Sequence, residues 1–322
     1  MRTEPMRRIT CLTACVALAG VLLAGCAGDE GEEGADDSAA VPSALPSIDT
    51  AADTAALATV TQTAEPGAAP VLAFTPPLSV TGPVARVMQP GAGEVIEVNR
   101  AVVADVVTVN GSDGTEEGST YEGAPQILMT DEANMPAALL DVLVGAQVGA
   151  RVLLAAPVAE DETTLWAFEI ESMLDVPVQA EGTEARLRPG LPLVDHADSA
   201  TTDARMPVIV PTDGPPPEEL VVQPLLIGAG QPVTADSSLV VQVVGALWDG
   251  TQFQNTWEEG AGKSIVLSGA IEGWRQGLVG QTIGSRVMLV VPPDLAWGDE
   301  GRGDLIPAGS TLVYVIDILA GI

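Results

Sequence analysis

Large flat side chains are scarce in this chain, with aromatic residues making up 3% of its 322 positions. Basic residues are scarce too: Lys263 is the only lysine, His196 the only histidine, and the net charge is −31. So acidic a surface repels a phosphate backbone and excludes nucleic acid as a partner. A single histidine excludes chemistry built on a His base or on several His metal ligands. Cys11, Cys15 and Cys26 all fall near the N-terminus, so the body of the chain has no disulfide framework. After the apolar stretch 9–23, no hydrophobic run is long enough to span a bilayer. What is present is small and β-branched. Hydrophobic residues are 47% of the chain, mostly Ala and Val.

Arg2, Arg7 and Arg8 precede that apolar stretch, which closes on Leu23-Ala24-Gly25-Cys26. A basic start, an apolar run and small residues make a secretion signal, and the run LAGC looks like a bacterial lipobox. The expectation is a signal peptide over 1–25, lipid on the Cys26 thiol, and a protein anchored on the extracytoplasmic face of a membrane. Residues 26–75 begin with the acidic block GDEGEEGADD and continue with Ala, Thr, Ser and Pro. Such a segment buries too little to offset its ordering entropy and reads as a disordered tether. A second break, 177–207, reads as a partly ordered linker.

Two segments repeat one another. GAGEVIEVNRAVVADVVTVNGSDG from Gly91 matches GAGQPVTADSSLVVQVVGALWDG from Gly228, and LVGAQVGARVLLAAP from Leu143 matches LVGQTIGSRVMLVVP from Leu278. Gly93 and Gly230 lie 137 positions apart, Arg151 and Arg286 lie 135 apart. Two matches in register indicate a tandem duplication, with domains at 76–176 and 208–322. Each copy carries β-branched runs bounded by Asx-Gly turns: 102–109 and 239–244, 151–156 and 286–291, 165–170 and 311–318. The only convincing helix of the second copy covers 272–278. The class is α+β, each copy a twisted antiparallel sheet wrapped round a short helix.

Four of the five tryptophans, Trp248, Trp257, Trp274 and Trp297, crowd into the second copy. There VVQVVGALWDGTQF, VLSGAIEGWRQGLVGQTIGSRVMLVVPPDLAWGDEG and LIPAGSTLVYVIDIL resemble the FKBP-type peptidyl-prolyl isomerases over essentially a whole domain. The resemblance implies a shallow apolar pocket with Trp274 as its floor and Phe253 as its wall. It implies that the Ile271 backbone N–H and the Trp297 side chain contact substrate carbonyls, and that Ala270, Ile306 and Tyr314 line the pocket. Substrates would be proline-containing unfolded or secreted polypeptides. No nucleophile, metal or cofactor is required, because an X-Pro bond isomerises by twisting out of amide resonance over a barrier of roughly 18–20 kcal/mol.

This chain departs from the family's pattern in places. Trp297 stands where a tyrosine is usual, and its indole donates but cannot accept a hydrogen bond. Gln254 replaces an aspartate and Val243 a tyrosine, two groups that polarise the pocket in typical members. In the first copy Glu117 takes the wall position, Leu139 the tryptophan position, and the aromatic-Gly loop is missing. That copy reads as degenerate, keeping the scaffold without the site. Two readings follow: an isomerase acting through its second copy, or a non-catalytic protein-binding lipoprotein retaining the scaffold.

Overall fold

The computed structural model describes residues 50–64, 68–159, 162–196, 205–260 and 262–322. The signal segment and Cys26 lie outside the described residues, so the expectations placed on them are not addressed by the fold.

The chain opens with helix α1 (Thr50–Ala58) and a small hairpin, β1 (Thr61–Thr63) and β2 (Val71–Ala73). The first half continues through β3 (Val84–Gln89), β4 (Ala101–Asn110), β5 (Glu116–Ser119), β6 (Gln126–Met129), α2 (Ala137–Leu143), β7 (Arg151–Ala159) and β8 (Glu162–Leu174). After β9 (Thr183–Glu184) and a second hairpin of β10 (Leu193–His196) and β11 (Pro207–Val210), the second half begins. It comprises β12 (Val221–Ile227), β13 (Ser238–Leu247), β14 (Gln252–Asn255), β15 (Lys263–Val266), α3 (Glu272–Leu278), β16 (Arg286–Val291) and β17 (Leu312–Gly321).

Two antiparallel sheets result. The first has the order β3-β7-β8-β4-β5 with β6 also paired to β4; the second has β12-β16-β17-β13-β14 with β15 also paired to β13. Strand for strand these are the same arrangement, and β9 merely extends the second sheet beyond β12. The near-continuous apolar run of β17 is explained by its central place, with Leu312 to Ala320 all buried. Alternate residues of the second sheet face opposite ways. Val241, Val243, Leu289, Val291 and Ile316 pack with α3, whereas Val244, Ala246, Met288, Val290 and Val313 form a separate cluster on the other face.

These outer faces explain a correction. Over the described residues 50–64 and 68–75 the segment expected to be tether is folded: Leu57, Val60, Leu72 and Phe74 cover Val107, Val109, Leu153 and Leu165 of the first sheet. Asp53 fixes the strap in place, accepting the Thr81 and Gly82 N–H groups at 2.9 and 3.1 Å. The linker does the same for the second sheet through Leu191, Val194 and Met206, joined by Ile209 just beyond it. An amphipathic sheet with one bare apolar face needs a cover, and each half takes it from the segment before it.

The halves meet edge to edge. Val103 lies opposite Ile127 across β4 and β6. The Ile127 N–H donates to Ser238 Oγ at 2.9 Å, and its carbonyl accepts from Ser264 Oγ. Asn134 Nδ2 donates to the Gly262 carbonyl at 3.0 Å. Hydroxyls thus satisfy an exposed strand edge that would otherwise be open to pairing with another chain. Beneath them Ile127 and Met129 pack with Val240, Leu319 and Ala320.

Helix α3 lies close on β16 because Gly273 and Gly277, one turn apart, turn bare Cα atoms to the sheet. A Cβ on Gly277 would stand 2.7 Å from Leu289 Cδ2, and one on Gly273 would overlap Val291 Cγ1. The ordinary helix-propensity gain from Gly to Ala is about 1 kcal/mol, whereas overpacking a tight core costs about 1–3 kcal/mol. Val291 is branched and held in a buried strand, so the second effect wins. Gly273→Ala is expected to destabilise the second half by about 1 kcal/mol, read from the denaturant midpoint; a stabilised variant would contradict this packing.

Candidate active site

The site grows from three elements that converge on one face of the second sheet. Strand β17 supplies Tyr314, which is 3% exposed, and α3 supplies Trp274, which is 7% exposed. Their rings meet edge to face, with centroids 5.2 Å apart and planes at 89°. Phe253, on β14, meets the same Tyr314 ring at 5.5 Å and 87°. Tyr314 thereby stands perpendicular to two rings, the arrangement aromatic quadrupoles favour. Val243 and Ile306 are buried in the same cluster, and Ala270, Ile271 and Trp297 pack against it while staying half-exposed. The expected residues are therefore brought together. Gln254 follows Phe253 in β14, half-buried and paired with Gly245. Trp274 is almost wholly buried, so the expected floor is largely covered by its neighbours rather than laid open.

The backbone register shows why the rings fit. Phe253 is the bulged residue where β14 slips against Gly245 and Ala246. Tyr314 lies opposite Gly245 on the other neighbouring strand. A Cβ on Gly245 would fall 2.8 Å from the Phe253 ring and 3.1 Å from the Tyr314 ring. Gly245 is a site residue that the sequence reading did not single out. Its signal was an isolated glycine in the strand VVQVVGALW, which marks a close approach.

Polar groups near the site are few. Ile271 caps the start of α3 with φ −58° and ψ 151°, and its N–H donates to no group among the described residues. The Trp274 and Trp297 indole nitrogens are both buried without a partner. Burial pushes the Tyr314 phenol well above its ordinary value, opposed by the Arg302 guanidinium and the Trp297 indole nearby. Among the described residues no three His, Cys, Asp or Glu side chains are placed to hold a metal ion.

The same face of the first half is built from different residues. Thr108 lies opposite Trp166, as Gly245 lies opposite Tyr314. Glu117 is the bulged residue in β5 and is exposed. Leu139 is buried at the third position after the cap of α2. That cap is Pro136, with φ −59° and ψ 140°; it repeats the Ile271 backbone but has no N–H to offer. Ala159 of β7 pairs with Glu162 of β8, so two residues separate these strands where the second half has the long loop 292–311.

A family model described as FKBP-type peptidyl-prolyl cis-trans isomerase matches residues 230–319. A probable FK506-binding protein of Corynebacterium glutamicum is 35% identical over 108 residues, which cover 33% of this chain and 91% of that protein. An FK506-binding protein of Streptomyces anulatus is 34% identical over 111 residues, 33% of this chain and 90% of the relative. The FKBP-type peptidyl-prolyl cis-trans isomerase FkpA of Escherichia coli is 38% identical over 100 residues, 31% of this chain but only 37% of FkpA. The crystal structure of FkpA from Escherichia coli aligns at 37% identity with a TM-score of 0.31, covering 32% of this chain and 47% of that one. With the relatives from Corynebacterium glutamicum and Streptomyces anulatus matched over almost their whole length, the chain belongs to the FKBP-type peptidyl-prolyl cis-trans isomerase family.

The chain has two tyrosines. Burial, and a 2.7 Å bond from the Tyr121 hydroxyl to Glu169 Oε2, raise the Tyr121 phenol as burial raises Tyr314. A raised phenol pKa means the fold prefers the protonated form. That contribution is intact below the ordinary tyrosine value of about 10 and is lost as pH rises through the folded value. Phenolate absorbance of the native protein should show no titration step near the ordinary value, and a step there would contradict the burial of these two rings.

Proposed function

We propose that the chain is a lipid-anchored isomerase that turns X-Pro bonds of polypeptides outside the cytoplasm, working through its second half. The observation that carries this reading is the cluster of Trp274, Tyr314 and Phe253 beside an unpartnered Ile271 N–H. A proline ring is rigid and apolar and loses little entropy on resting against an indole. The planar amide is more polar than the twisted one, so an apolar surface disfavours the ground state relative to the transition state. The Ile271 N–H and the Trp297 indole N–H hold the flanking carbonyls while the bond rotates. Phe253 and Ile306 wall the ring, and Ala270 and Val243 complete the apolar lining. Gln254 at the rim leaves the pocket less polarised than an aspartate would.

The first half, residues 76–176 with the strap before it, is in this reading a degenerate copy of the second, 208–322. Matched polar pairs support descent from one unit. Arg151 bonds Glu169 at 3.0 Å where Arg286 bonds Asp317 at 2.5 Å. Thr120 Oγ1 takes the Val106 N–H at 2.8 Å where Thr256 Oγ1 takes that of Val243 at the same distance. Thr108, Glu117, Leu139 and Pro136 leave that copy without counterparts of the Phe253 wall, the Trp274 indole or the Ile271 donor, although Trp166 stands at the place of Tyr314, and its role is to brace the second half along β6 and β15. No described helix is long and apolar enough to cross a membrane, and the anchor rests on the lipobox reading of Cys26 alone.

Catalytic amounts of the chain should accelerate cis-to-trans conversion of a short X-Pro peptide. Loss of the indole in Trp274→Ala forfeits about 2 kcal/mol of apolar contact, so kcat/KM should fall about thirtyfold. Tight peptide binding with no acceleration would instead favour a protein-binding module, the reading that Val243 and Gln254 make the alternative. For the anchor, Cys26→Ala should move the protein from the membrane fraction to the soluble one, and an unchanged distribution would rule out lipid on this thiol.

A further inference from the structure

The loop 292–311 joins β16 to β17 and carries Leu295, Ala296, Trp297 and Ile306 onto the site's cluster. Arg302 links two of these residues. Its guanidinium carbon lies 4.5 Å from the Trp297 ring centroid, over the face of the indole. Its backbone N–H donates to the Ile306 carbonyl at 2.8 Å, and its carbonyl accepts from the Ile306 N–H at 3.3 Å. Gly301, at φ +69°, makes this turn so tight that a side chain there would run into the Ile306 backbone. Asp299, Glu300 and Asp304 are exposed on the same loop, yet among the described residues Arg302 pairs with none of them. The guanidinium lies on the indole although carboxylates are close by in sequence, so the loop's geometry selects the ring.

That choice bears on the indole nitrogen. Trp297 Nε1 is buried and makes no hydrogen bond of ordinary length, although it lies close enough to the Tyr314 hydroxyl to oppose the rise in that phenol's pKa; a buried donor so poorly paired is costly unless a better acceptor comes to it. A ring whose face is held by a planar cation cannot roll freely. We infer that Arg302 is a positioning residue for isomerisation: it clamps the Trp297 indole so that the N–H stays turned into the site to meet a substrate carbonyl. The inference rests on the isomerase reading of this site. Among the described residues the first half shows no equivalent, since two residues separate β7 from β8.

The test uses the full chain with Arg302→Ala, Arg302→Lys, Trp297→Leu and the Ala/Leu double variant. Two readouts are taken: kcat and KM on an X-Pro peptide, and acrylamide quenching of Trp297, isolated as the difference between chains with and without that residue. Arg302→Ala should make Trp297 more quenchable and lower kcat/KM by about three- to fivefold, chiefly through KM. Lysine, which keeps the charge but not the planar stack, should restore part of both. In the Trp297→Leu background, removing Arg302 should change nothing further, because the clamp then has nothing to hold. Unchanged quenching in Arg302→Ala, or an equal kinetic loss without Trp297, would overturn the inference. Should the unsubstituted chain fail to accelerate the peptide, the isomerase reading falls, and quenching alone still decides whether the clamp exists.

Discussion

The perpendicular seating of the Tyr314 ring between Trp274 and Phe253 is the contact on which the second half's chemistry depends. Each such aromatic pair contributes about 0.5–1.5 kcal/mol beyond the area it buries, but the larger consequence is geometric. Three elements distant in sequence, a strand edge, a helix and a central strand, are registered by one ring. That ring can sit there only because Gly245 beneath it has no Cβ. Gly273 and Gly277 then let α3 descend onto β16 far enough to bring the indole to the ring. Absent side chains are as much a part of this site as the aromatic ones.

The first half shows what the same scaffold becomes without that seating. Its strand order, its cap geometry and its Arg–carboxylate pair match those of the second half. Thr108 fills the place of Gly245, and Trp166 is buried at the place of Tyr314. The fold persists because strands and core need only apolar volume and alternation. A site needs particular residues in particular places, and the first half carries other residues at those places.

Much of this architecture was legible in the sequence. Val-rich runs bounded by Asx-Gly turns marked the strands, and the glycine-flanked run ending in Leu278 marked α3 with the bounds it has. The positions of Glu117 and Leu139 in the first copy followed from counting along the repeat, and the register places them at the bulge and on the helix as counted. The straps were not legible. Leu57, Val60, Leu72 and Phe74 are isolated apolar residues among Ala, Thr and Pro, with no period to announce an element. Their partner is the outer face of a sheet formed mostly later in the chain, so only the tertiary structure reveals what they cover. Arg302 was hidden for the same reason: its stacking on Trp297 is a property of a folded loop, and the sequence shows only one basic residue among acids.

The most direct test of the central claim follows the five indole N–H resonances of the full chain by NMR while an X-Pro peptide is added, together with exchange between the peptide's own cis and trans signals. Engagement of the aromatic seat predicts that the Trp274 and Trp297 resonances move, that Trp166 stays fixed, and that cis–trans exchange peaks grow in at catalytic protein concentrations. Movement of Trp166, or an unmoved Trp274 in the presence of exchange, would place the chemistry elsewhere and contradict the account.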